Sequence, residues 1–158
     1  MTPRFSLVPS TGSARFDVIY RIEDYSFDAS PRPQGGLTSL AINEIQIDVA
    51  RDGRLLYAWG YCPYLGWKET TATPEATGEY VITLADEELE QGVSIKLNPD
   101  KRWPAYVNYR TGWVGILEST ERLDRPGALF AAGSMALLDD ARLVGLWLHP
   151  RSVPVPMP

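Results

Sequence analysis

Few residues of this chain can do covalent or acid–base chemistry. It has one cysteine, Cys62, and one histidine, His149. A nucleophilic thiol needs its pKa lowered by a neighbouring imidazolium or a helix N-terminus. Cys62 closes a strand just before Pro63, far along the chain from His149, so the residues predict a buried, inert thiol. A single cysteine excludes an intrachain disulfide and a multi-cysteine zinc site, and a single histidine excludes every site that needs two. His149 ends the run Trp147-Leu148-His149-Pro150. A serine–histidine pair would draw on Ser134 or Ser152. The surrounding Ala132-Gly133-Ser134-Met135-Ala136 is no nucleophile elbow, so His149 reads as a polar strand terminus.

The carboxylates are no better placed for catalysis. Glu23-Asp24 and Asp139-Asp140 are neighbours, and neighbours in an extended strand point to opposite faces. Glu44 and Asp48 share the polar face of one strand, where solvation is the expectation. No phosphate loop, dinucleotide fingerprint, calcium loop or histidine-rich metal motif occurs, so no cofactor and no metal are expected. With no nucleophile or acid–base set evident, the reading leans to a binding protein and leaves catalysis without a motif open.

Aromatic residues are the most distinctive feature. Trp59, Tyr61, Tyr64 and Trp67 fall within nine residues, and Trp103, Tyr106, Tyr109 and Trp113 within eleven. Tryptophan and tyrosine join a large apolar body to a polar handle, which suits pockets and interfaces as well as cores. These eight are the candidate ligand- or partner-binding residues, with core packing as the alternative.

The elements that must position them are mostly strands. Period-two alternation recurs over Phe16–Ile22, Ile45–Val49, Tyr80–Leu84 and Val93–Leu97, each with one polar face, as in antiparallel sheets wet on one side. Asp52-Gly53 is a hairpin signal between the strand ending near Val49 and Leu55–Tyr61. Asp139-Asp140 plays the same part between Met135–Leu138 and Leu143–Leu148, and Arg110-Thr111-Gly112 turns Tyr106–Tyr109 into Trp113–Leu117. Helix is confined to an acidic turn over Ala85–Gln91, stopped by Gly92. Asp28–Thr38 and Lys68–Gly78, rich in proline, glycine and threonine, read as long loops. The stretch from Asp52 to Trp59 repeats at Asp140 to Trp147, with Asp, Arg, Leu and Trp in register. A duplicated half produces such an echo, and so do two hairpins obeying the same turn rules.

The expected fold is therefore all-β and mostly antiparallel, either a barrel-like roll, slightly favoured, or a two-sheet sandwich. Residues 1–149 form a single β-rich domain by length and composition, followed by a tail at 150–158 with four prolines. Fifteen basic against twenty acidic residues give a net charge of −5 without a basic run, which argues against nucleic acid and against an anionic membrane surface. No apolar stretch of signal-peptide or membrane-span length is found, so a cytoplasmic protein with a reduced thiol is expected. Twelve arginines to three lysines is the habit of a GC-rich bacterial genome. Acidity and concentrated Trp/Tyr fit a protein-binding module, such as an inhibitor or immunity-type protein with a basic partner. The alternative is a β-barrel that holds a small apolar ligand or turns one over as a cyclase or isomerase without a motif.

Overall fold

The described residues form fourteen strands, several of them joined by turns at positive φ. The computed structural model describes residues 2–12, 15–85 and 89–155. The strands are β1 Arg4–Pro9, β2 Asp17–Arg21, β3 Ser26–Ser30, β4 Gly36–Ile42, β5 Ile45–Ala50, β6 Leu55–Tyr61 and β7 Lys68–Glu69. They continue as β8 Ala76–Ala85, β9 Ile95–Lys96, β10 Ala105–Asn108, β11 Trp113–Leu117, β12 Gly127–Ala131, β13 Ser134–Asp139 and β14 Arg142–Leu148. Short 3-10 turns cover Tyr64–Gly66 and Thr120–Arg122.

The fold is all-β with two sheets. One has six strands in the order β2-β3-β6-β5-β4-β9, and the other eight in the order β1-β8-β12-β13-β14-β11-β10-β7. Only β4–β9, β8–β12 and β7–β10 pair in parallel among the described residues. The sheets do not close into a barrel, so the favoured roll gives way to the sandwich. Their facing sides fill one core, with Phe27, Leu40, Ile42, Ile45 and Ile47 against Ile82, Val107, Ile116, Leu146 and Leu148.

Both loops expected to be long are shortened by strands. β3 runs to Ser30 and β4 starts at Gly36, while β7 takes Lys68–Glu69 and β8 starts at Ala76. Conversely, of the run Val93–Leu97 only Ile95–Lys96 is a strand, because Val93 is held in a turn by its N–H to the Glu90 carbonyl. The acidic turn falls largely on residues 86–88, outside the described residues; Ala85 itself closes β8.

The echo between Asp52 and Asp140 extends to the whole sheet. β2-β3-β6-β5-β4 followed by a parallel strand matches β10-β11-β14-β13-β12 followed by a parallel strand. The two equivalent hairpin turns are also tied alike. Leu84 donates its N–H to the Gly53 carbonyl and Phe5 donates its N–H to the Ala141 carbonyl, both at 2.8 Å. Phe5 and Leu84 are themselves direct partners across β1 and β8. The two hairpins thus share strand order and docking point as well as turn residues.

The halves differ on their outer faces. Behind the eight-stranded sheet a second cluster forms from Tyr106, Leu117, Met135, Leu137, Val144 and Trp147, capped by Leu123. Gly115 makes room for it, since a Cβ there would lie 2.8 Å from the Trp147 ring. Behind the six-stranded sheet the equivalent Trp59 is open to solvent.

The proline-rich tail runs beside the edge strand β2. The Arg151 N–H donates to the Val18 carbonyl, the Arg151 guanidinium pairs with Asp17, and Val153 packs on the core. Its last residues, 156–158, lie outside the described set.

Candidate functional site

Two local devices build an aromatic end on the molecule. The first is Tyr20 on β2. Its hydroxyl donates to the Cys62 carbonyl at 2.7 Å and accepts the Tyr64 N–H at 3.0 Å, which pins the segment after β6. The second is Asn43, at φ +54° in the β4–β5 turn. Its side chain donates to the Trp103 carbonyl at 2.9 Å and accepts the Trp103 N–H at 3.0 Å, clamping that residue as a strand neighbour would.

These clamps shape an open cleft of about 480 Å3 where the two sheets meet. Tyr61, Trp67 and Trp103 supply its rings, Ile45 and Cys62 its buried apolar surface, and Lys68 and Arg102 its charged groups. Arg102 is engaged by Glu44, with bonds of 2.7 and 2.8 Å. The Trp67 indole N–H points at the Cys62 sulfur at 3.4 Å. Burial pushes the thiol up to about 11, against a smaller opposing effect of that N–H. Cys62 is therefore a protonated wall residue at neutral pH.

Beside the cleft the rings continue outward. Tyr64 lies 6.4 Å from Trp67 and stacks on Tyr25 at 5.8 Å, and Tyr25 meets Tyr61 at 6.4 Å. Ile22, Tyr61 and Leu65 present 45%, 48% and 68% of their surface to solvent around this group. Ile22 sits in a turn and Leu65 in the 3-10 segment, while Tyr61 ends β6.

The eight candidate residues thus divide. Tyr61, Trp67 and Trp103 converge on the cleft and Tyr64 packs behind it. Trp59 faces outward on β6, its indole N–H bonded to Asp48 at 2.6 Å. Tyr106 and Trp113 belong to the outer cluster of the other sheet, and the Tyr106 hydroxyl is taken by Thr120. Tyr109 lines a separate polar concavity of about 520 Å3 with Arg110, His149 and Ser152. Tyr20, Ile22, Tyr25, Asn43 and Leu65 were not singled out by sequence. Asn43-Glu44 between two alternating runs is a turn signal that finds Asn43. Nothing in the sequence pairs it with Trp103.

The one histidine lines the polar concavity together with Ser152 and does not line the aromatic cleft. His149 is exposed, stacks on Trp113 at 4.7 Å and 21°, and has its Nε2 2.8 Å from the Thr111 carbonyl, which only a ring N–H can satisfy. Ser134 is buried and donates to the Ala132 carbonyl, so it makes no pair with His149. Asp48 corrects the expectation of a solvated carboxylate: burial raises its pKa above the ordinary value and outweighs the Trp59 hydrogen bond. Among the described residues no three His, Cys, Asp or Glu side chains converge as metal ligands, and no helix is long and apolar enough to cross a membrane. No family model matches the chain, and no curated protein or solved structure shows significant similarity to it.

Proposed function

We propose that the protein is a non-enzymatic module that binds another protein through this aromatic end. The observation that carries the reading is the exposed row Ile22, Tyr61 and Leu65, continuous with a cleft walled by Trp67 and Trp103. Interfaces concentrate their energy in Tyr and Trp set in partly desolvated pockets, and Tyr20 and Asn43 hold these rings in place before any partner arrives. An apolar side chain of the partner fills the cleft. The net charge of −5 favours a basic partner and steers its approach. An inhibitor or immunity-type role is the finer form of this proposal.

The test is native mass spectrometry of the protein purified gently from its own cells. A protein-sized added mass is expected. It should be lost in the Leu65→Asp and Ile22→Asp proteins, each weakening the complex at least about tenfold. A partner that survives both substitutions, or no protein partner, overturns the reading. The cleft volume, about 480 Å3, is also that of a small-ligand site. An added mass of a few hundred daltons would favour that second reading, a small apolar ligand held between Trp67 and Trp103.

A further inference from the structure

The outer face of the six-stranded sheet carries a shallow trough of about 300 Å3, lined by Arg21, Asp24, Ser26, Asp28, Trp59 and Tyr61. Its centre is Trp59, 37% exposed, with the ring plane set by the Asp48 bond. The same chain shows how this position is buried. At the equivalent place on the other sheet Trp147 is fully covered, with Leu123 of the β11–β12 connection packed against its cluster. That connection also carries Arg122 on Glu118, four residues before it. The β3–β4 connection keeps the ion pair, as Arg32 on Asp28, but its residues Pro31 to Gly36 bring no leucine. The indole stays open. Beside it Gly60, at φ +120°, offers no side chain to cover the ring, and a Cβ there would lie 2.7 Å from the Glu44 carbonyl.

The polar groups around the indole select the ligand. Asp28 is saturated: Oδ1 accepts from Ala29 and Arg32, Oδ2 from Arg32, and Arg21 lies 3.6 Å away. Spare donors remain on the Arg21 and Arg32 guanidinium groups. Spare acceptors are the Asp24 carboxylate and the Ser26 and Tyr61 hydroxyls, which have no hydrogen-bond partner among the described residues. A cationic ligand would meet two guanidinium groups here, and an anionic one would meet Asp24, Asp28 and Asp48. A neutral ring bearing hydroxyls can use both the spare donors and the spare acceptors. Its C–H face can lie on the negative π face of the indole.

We propose that the trough binds a neutral carbohydrate, with Trp59 as the stacking platform and Arg21, Arg32 and Asp24 as hydrogen-bonding groups around the sugar ring. The trough adjoins the aromatic end at Tyr61, which lines both, but its platform Trp59 lies outside that cleft, and sugar binding does not require a protein partner.

The full chain, labelled with 15N, should be titrated with neutral hexasaccharides of glucose, mannose, xylose and N-acetylglucosamine and with one sulfated hexasaccharide. The readouts are the Trp59 indole N–H resonance and the backbone amide resonances of Gly60 and Tyr61, which every variant retains. At least one neutral sugar should shift them, and Trp59→Ala should weaken that sugar at least about tenfold, with Trp59→Phe losing less. Arg21→Ala keeps the reporter ring and should also weaken binding, which decides the matter if Trp59→Ala does not fold. The proposal is overturned if no neutral sugar shifts these resonances at about 10 mM. It is equally overturned if binding survives both alanine substitutions, or if the sulfated sugar binds more tightly than the neutral ones.

Discussion

Cys62 owes its inertness to its neighbours: the segment from β6 to Trp67 folds the thiol against an indole and removes water from it. A group whose acid form is favoured by folding makes stability fall with pH. The folded thiol keeps its proton while the unfolded one, titrating near 9.0, loses it, so the loss develops from there up to about 11. Urea midpoints measured across that interval should decline, and Cys62→Ala should decline less steeply. Tyr20 and Tyr57, also raised by burial, act in the same direction in both proteins and drop out of the comparison. Equal slopes would show that the thiol is not desolvated. Sequence gave half of this picture. The strand end and Pro63 marked Cys62 as structural, whereas Asp48 was misread because alternation names the face of a residue and not what covers that face. The Trp59 indole N–H reaches Asp48 from the neighbouring strand, a relation set by the pairing of β5 with β6.

At the scale of elements, hairpin turns carry the most information. Gly53 and Ala141 occupy equivalent turns and both have positive φ, +92° and +63°. Alanine pays for that conformation while glycine does not, so Ala141→Gly should stabilise the protein by about 0.5 kcal/mol once the freer unfolded chain is counted. Gly53→Ala should cost about 2 kcal/mol or more, because its Cβ would lie 2.8 Å from the Leu84 carbonyl as well. Chemical denaturation of the two variants checks both signs, and a neutral Gly53→Ala would contradict the docking of that turn on β8. Strands bounded by such turns were legible: β6 and β11 match their expected limits, and β5, β13 and β14 fall within a residue of them. β1 was not, since only Phe5 of its six residues is buried. β12 was not either, because both of its faces are covered and Gly127–Ala131 shows no alternation. Proline and glycine at positions 31–36 hid the start of β4, though Gly36 pairs with Ala50 across the sheet.

For the whole molecule, the question is how two sheets of the same connectivity become one unit. Three of the four sheet edges are short or occupied, since β7 and β9 have two residues each and the tail bonds to β2, while the fourth, β1, is six residues long. The main core draws on both sheets without a division at the midpoint of the chain. Hydrogen bonds from the Phe5–Leu84 pair reach into the turns of both halves, so β1 and β8 belong to both. Unfolding one half would strip the inner face of the other, and burial of each large aliphatic side chain contributes about 1.5–3 kcal/mol. The expected behaviour is a single cooperative transition, with a ratio of calorimetric to van't Hoff enthalpy of about 1. The outer cluster around Trp147 is part of that same unit, because β14 gives Trp147 to the outside and Leu146 and Leu148 to the inside. Filling the space at Gly115 with alanine should therefore lower the one transition rather than split it, by about 1–3 kcal/mol as the indole is displaced. Two resolved transitions, in the native chain or in Gly115→Ala, would mean that the repeated halves fold as separate bodies and that the shared core does not couple them.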